Sequence, residues 1–106
     1  MLDLRPEWLD MVRDLITVHL PGVEVLAYGS RVQGTAHDGS DLDLVVRNPD
    51  GTAVPSMILQ DFREAVSESD LPILVDTLDW ARIPENFRKE IARGGVVVLH
   101  GKDKTQ

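Results

Sequence analysis

Gly29-Ser-Arg-Val-Gln-Gly-Thr-Ala-His-Asp-Gly-Ser-Asp-Leu-Asp43 is the stretch on which the reading of this chain turns. Gly29 and Ser30 close one apolar run, a polar loop follows, and Asp41 and Asp43 open the next apolar run. Side chains two apart in a β-strand share a face. The spacing therefore sets the Asp41 and Asp43 carboxylates side by side and turns Leu42 and Leu44 to the core, which makes a platform for a divalent cation. At the other end, Gly29 has no Cβ to hold a phosphate away from the backbone, and a strand that runs into a helix start offers N–H groups to it. Ser30 can cap that helix or donate to a phosphate oxygen, and Arg31 stands beside it. Phosphate donors and metal carboxylates on one stretch describe a site for a nucleoside triphosphate with Mg²⁺.

Ten residues separate Ser30 from Asp41, so the stretch reads G-S-x10-D-x-D. It resembles the active-site signature of the polymerase-β-like nucleotidyltransferase superfamily. Its form G-S-R-x-x-G-x-A-x-x-x-S-D-x-D-L-V is similar to that of the minimal nucleotidyltransferases. The resemblance is densest over residues 28–46, and the order of elements is compatible with it over nearly the whole chain. Rival readings fail on specifics. A Walker A loop needs a lysine after its last glycine, where this chain has Thr35 after Gly34. An EF-hand begun at Asp41 would need glycine where Val46 stands. A solvated loop with Asp38, Asp41 and Asp43 as surface charges leaves the spacing and the flanking apolar runs unexplained.

At 106 residues the chain is expected to form a single domain, residues 1–106, with the tail 101–106 frayed. No apolar run approaches the ~20 residues of a membrane span. The start, Met-Leu-Asp-Leu-Arg, lacks the basic head and apolar stretch of a secretory signal, and the absence of cysteine excludes disulfide and zinc-thiolate chemistry within the chain. A cytoplasmic location is the expectation. A net charge of −7 repels a polyanion, so nucleic acid is an unfavoured partner. Arg82, Arg88, Lys89, Arg93, Lys102 and Lys104 gather toward the C-terminus. They read as a solvated helix and tail, or as a face for an acidic protein.

Apolar positions at Trp8, Leu9, Val12, Leu15 and Ile16 recur at helical steps between Pro6 and Pro21-Gly22. Trp8 at that spacing reads as core rather than as a nucleobase platform, and His19 as a capping or surface residue. Val23 to Tyr28 reads as a strand, residues 31–40 as a short helix or turn, and Asp41 to Arg47 as the next strand. Tyr28 either lines the site or packs in its strand. Asn48-Pro-Asp-Gly51 marks a turn. A helix from Pro55 to Ser69, ended by Pro72, has the length to serve as a βαβ crossover. Pro84 to Arg93 predicts a further helix, and Gly95 to His100 a last strand.

Asp76 falls inside the apolar run Ile73-Leu-Val-Asp-Thr-Leu78, where a carboxylate is costly unless paired or metal-bound. If this strand lies beside Asp41–Val46, Asp76 completes a three-carboxylate cluster. The pattern at 75–80 also resembles the third-aspartate strand of the minimal nucleotidyltransferases, which gives that role to Asp76. Asp79 has the opposite parity and reads as a cap or surface residue, with ligation as its second reading.

The resemblance implies an α/β (α+β) fold, a mixed β-sheet packed with helices. It implies a pair of Mg²⁺ ions held by Asp41, Asp43 and Asp76, and ATP gripped at Gly29, Ser30 and Arg31. The signature often carries a basic residue before Gly34, where this chain has Gln33, so either Arg31 compensates or nucleotide affinity is modest. Minimal nucleotidyltransferases are commonly paired with helical HEPN toxins and adenylylate a tyrosine of the partner, which implies an AMP-transferring antitoxin with a HEPN partner. A transferase acting on a small-molecule hydroxyl, such as an aminoglycoside, and a non-catalytic toxin-binding protein are the alternatives. Oligomeric or hetero-oligomeric assembly is left open.

Overall fold

The computed structural model describes residues 2–100. Pro6, with its φ already set for a first helical turn, starts α1 (Pro6–His19), and the Leu20 N–H closes it on the Ile16 carbonyl. The chain then runs through β1 (Glu24–Tyr28), the single-turn α2 (Ser30–Gln33), β2 (Leu42–Arg47) and α3 (Ser56–Ser67). After β3 (Val75–Asp79) come a 3₁₀ turn (Trp80–Arg82), α4 (Glu85–Gly94) and β4 (Val97–His100). The expected fraying of 101–106 lies outside the described residues. No helix among the described residues is long and apolar enough to cross a membrane.

The four strands form one sheet in the order β3-β2-β1-β4. β1 runs antiparallel to both β2 and β4, whereas β2 and β3 are parallel and joined through α3. The mixed sheet and the βαβ crossover expected from the sequence are therefore both present. Alternation along β2 sends Leu42, Leu44 and Val46 to one face, where they meet Val25 and Ala27 of β1. Val12 and Ile16 of α1 and Leu59, Phe62 and Val66 of α3 cover that face and complete the main core. Each such fully buried aliphatic or aromatic side chain contributes about 1.5–3 kcal/mol. On the opposite face Leu26 and Val45 are buried too, as is Ile91 of α4, while Phe87 meets the Tyr28 ring edge-on at 6.2 Å between centroids.

Boundaries shift from the sequence reading for local reasons. α3 stops at Ser67, where the Ser69 hydroxyl takes up the Val66 carbonyl. β4 begins only at Val97, because Gly95 sits at φ +92° and turns the chain out of α4. Trp8 packs against the core with the Arg5 and Arg31 guanidinium carbons 5.1 and 5.9 Å from its ring centre. That arrangement occupies the ring as a structural cation–π partner.

Candidate active site

β1 delivers Gly29 and Ser30 to one end of the sheet, and β2 and β3 start there. Gly29 has φ +83° and ψ −153°, a region that side chains other than glycine's strongly disfavour. A Cβ at this position would run into Asp43 Oδ2, so the glycine is required by space as well as by backbone angle. Ser30 opens α2, with the Val32 and Gln33 N–H groups bonded back to the Gly29 carbonyl at 2.9 and 3.0 Å. The N–H groups of Ser30 and Arg31, in the first turn, have no intrahelical acceptor.

Asp41 is exposed immediately before β2, and Asp43 is half-exposed within it, with Leu42 turned to the core between them. In the parallel register Asp43 stands opposite Asp76, and in the antiparallel register it stands opposite Tyr28. Burial, then the Asp76 and Asp41 charges, raise the Asp43 carboxyl above its ordinary pKa. Burial, followed by the Asp43 and Asp76 charges, pushes the Tyr28 phenol up to about 12. The carboxylates thus repel one another across two strands, an arrangement that a hard cation would relieve. Among the described residues no three acidic or imidazole groups are drawn closely enough together to enclose an ion, so the site is an open oxygen platform.

Asp76 reaches this place by a different route from the one its apolar neighbours suggested. It is exposed, and the buried carboxylate of β3 is Asp79, only 3% exposed. Asp79 Oδ2 accepts from the Val54 N–H at 2.7 Å and from Arg82 Nε at 3.2 Å, and Oδ1 accepts from the Ala81 N–H at 3.0 Å. These bonds satisfy a buried charge and cap the 3₁₀ turn. Asp79 is neither a surface residue nor available as a ligand.

Arg31, expected to grip ATP, has its guanidinium engaged elsewhere. It is 3% exposed, and its guanidinium donates to backbone carbonyls of Asp3 (2.8 Å), His37 (3.2 Å), Asp38 (2.9 Å) and Ser40 (2.9 Å). Its charge holds the loop that leads into Asp41. Arg31→Ala is expected to cost about 2 kcal/mol of stability, the loss of charge-assisted bonds to that loop, with Arg31→Lys recovering only part of it. Urea unfolding measures this, and a variant as stable as the parent would refute the clamp.

Sequence reasoning missed the wall that α4 adds. Tyr28, Gly29, Gln33, Phe87, Glu90 and Ile91 line a cleft of about 170 Å³ beside the glycine. The helical periodicity of 84–93 announced the helix but not which end of the sheet it would border.

A nucleotidyltransferase domain model matches residues 9–99. The chain belongs to the nucleotidyltransferase domain family. Within that family it is 42% identical over 104 residues to a probable protein adenylyltransferase MntA of Haemophilus influenzae, covering 98% of this chain and 89% of the relative. Solved structures share the fold. A toxin–antitoxin complex with AMP-PNP superposes with a TM-score of 0.71 at 20% identity, over 90% of this chain and 74% of that one. A complex of tri-AMPylated Shewanella oneidensis HEPN toxin with MNT antitoxin gives 0.68 at 14%, over 93% and 74%. At these identities the likeness to the solved structures is one of fold.

Proposed function

We propose that this nucleotidyltransferase transfers AMP from ATP to a tyrosine hydroxyl of a HEPN toxin, acting as its antitoxin in the cytoplasm. The near-full-length likeness to a probable protein adenylyltransferase carries the reading. The intact Gly29–Asp43 stretch with Asp76 opposite Asp43 supports it. The solved complexes with a HEPN toxin and with an ATP analogue support the partner and the substrate.

In this reading the backbone at Gly29 and Ser30, with the Ser30 hydroxyl, binds the β- and γ-phosphates. Asp41 and Asp43, with Asp76 on the acceptor side, would hold Mg²⁺, which would neutralise triphosphate charge and polarise the reacting phosphoryl group. Asp76 orients the acceptor hydroxyl and takes up its proton. The acceptor oxygen forms a bond to the α-phosphorus as the bond to the bridging oxygen breaks, and pyrophosphate leaves in line.

The test is label transfer from ATP labelled at the α-phosphate, with Mg²⁺, to a HEPN protein encoded beside the chain. A labelled protein band, with label on a tyrosine, is the expected result. Label on an added aminoglycoside but on no protein would move the acceptor to the small-molecule class. Tight binding to the toxin without any transfer would leave an inhibitor that works by contact.

A further inference from the structure

Leu74 is 74% exposed at the rim of this site, although its neighbours Ile73 and Val75 pack inward. Its carbonyl accepts the Leu42 N–H at 2.9 Å, and Leu42 pairs with Val75. By that parallel register Leu74 stands level with Asp41, as Asp76 stands level with Asp43. An apolar side chain just before β3, an edge strand of the sheet, thus flanks Asp41 and Asp76. Beside it Arg63, Val66, Ser67, Leu71, Ile73 and Val75 line a groove of about 190 Å³.

The direction of the reaction gives this edge a meaning. Gly29 follows β1, Asp43 lies on β2 and Asp76 on β3, so the three cross the sheet in that order. With strands ~4.8 Å apart, the span from Gly29 to Asp76 is about 10 Å, the scale of a triphosphate with its acceptor. In-line displacement places the incoming oxygen opposite the departing pyrophosphate. With pyrophosphate over Gly29 and Ser30, the acceptor arrives over β3, where Leu74 stands on the same face, and the groove continues from Leu74 round to the α3 side of that edge.

We propose that Leu74 and this groove seat the acceptor protein, through a segment that carries an apolar side chain flanked by basic residues. The inference rests on the protein-acceptor reading above. The apolar part follows from Leu74 and the half-buried Leu71. The basic part follows from charge complementarity with Glu68 and Asp70, both exposed beside this edge and outside the set that would hold Mg²⁺. Arg63, the cation of the groove, donates to the Thr77 carbonyl. A small polar acceptor would have no use for an exposed leucine at the rim.

Leu74→Ser and Leu74→Met, both at an exposed position, test the assignment with the HEPN protein of the transfer assay as probe. Leu74→Ser is expected to raise the KM for that protein about tenfold. The kcat at saturating acceptor and the affinity for a fluorescent Mg-ATP analogue should stay within about twofold, and Leu74→Met should behave as the parent. An unchanged KM in Leu74→Ser would overturn the proposal while leaving the transfer reaction intact. If the parent transfers nothing, the catalytic reading fails by itself. The docking surface is then judged by calorimetric affinity for the same protein, which must weaken about tenfold in Leu74→Ser or the proposal falls.

Discussion

Asp41→Asn combined with Asp43→Asn lowers nucleotide transfer by about a thousandfold or more, a loss of about 4 kcal/mol in transition-state stabilisation, without unfolding the protein. Neither carboxylate supports the fold. Asp41 is exposed, and Asp43 is held half-buried against the repulsion of Asp76 and Asp41. Removing that repulsion should leave the melting temperature unchanged or slightly higher, the usual signature of a site kept at the expense of stability. Asp76→Asn should lose about a hundredfold, because a positioned base typically contributes on that order, while Mg-ATP still binds. The assays are label transfer, equilibrium nucleotide binding and thermal melting on the same preparations. Transfer that survives in the double variant would remove these carboxylates from the chemistry. Toxin neutralisation that survives would show that contact suffices.

Gly29→Ala is expected to cost about a hundredfold in transfer and about 1–3 kcal/mol in stability. Two separate penalties meet there. The new Cβ forces an alanine into a backbone region it disfavours, and it drives Asp43 Oδ2 from its place. Gly34→Ala is the control. Gly34 has a similar φ of +84°, but its Cβ would meet nothing within 4 Å. The control should lose about 1–2 kcal/mol for left-handed strain and keep nearly full activity per folded molecule. Equal activity losses in the two variants would mean that the glycine matters for backbone strain alone.

The carboxylate platform was legible because its logic is local. Strand parity fixes Asp41, Leu42 and Asp43 relative to one another whatever the rest of the chain does. The βαβ unit was legible because the segment from Pro55 to Pro72 is long enough to cross the sheet and carries a helical stripe. Arg31 was not legible, since the carbonyls it binds come from Asp3 and from His37 to Ser40, segments brought together only by folding. Its neighbour Ser30 made a phosphate role look natural, whereas burial decided otherwise. Asp76 and Asp79 show the same limit in reverse. Asp76 interrupts an apolar run and Asp79 ends it, and only pairing with β2 and the approach of Val54 and Arg82 reveal which one is buried. The antiparallel seat of β4 beside β1 lay beyond the sequence because a four-residue strand carries too little pattern to choose its neighbour.

The bonds of Asp79 act as a registration pin for β2 and β3. One carboxylate grips Val54, before the crossover helix, and Ala81 and Arg82, after the strand that the helix delivers. Were β3 to slip by one residue against β2, every side chain would change face, sending Asp76 inward and Asp79 out to water. The slipped form would strand the Val54 N–H without its acceptor and bury a carboxylate bare. Alignment of Asp76 with Asp43 is thereby enforced from the far end of the strand, by a carboxylate whose own bonds are all spent within the fold.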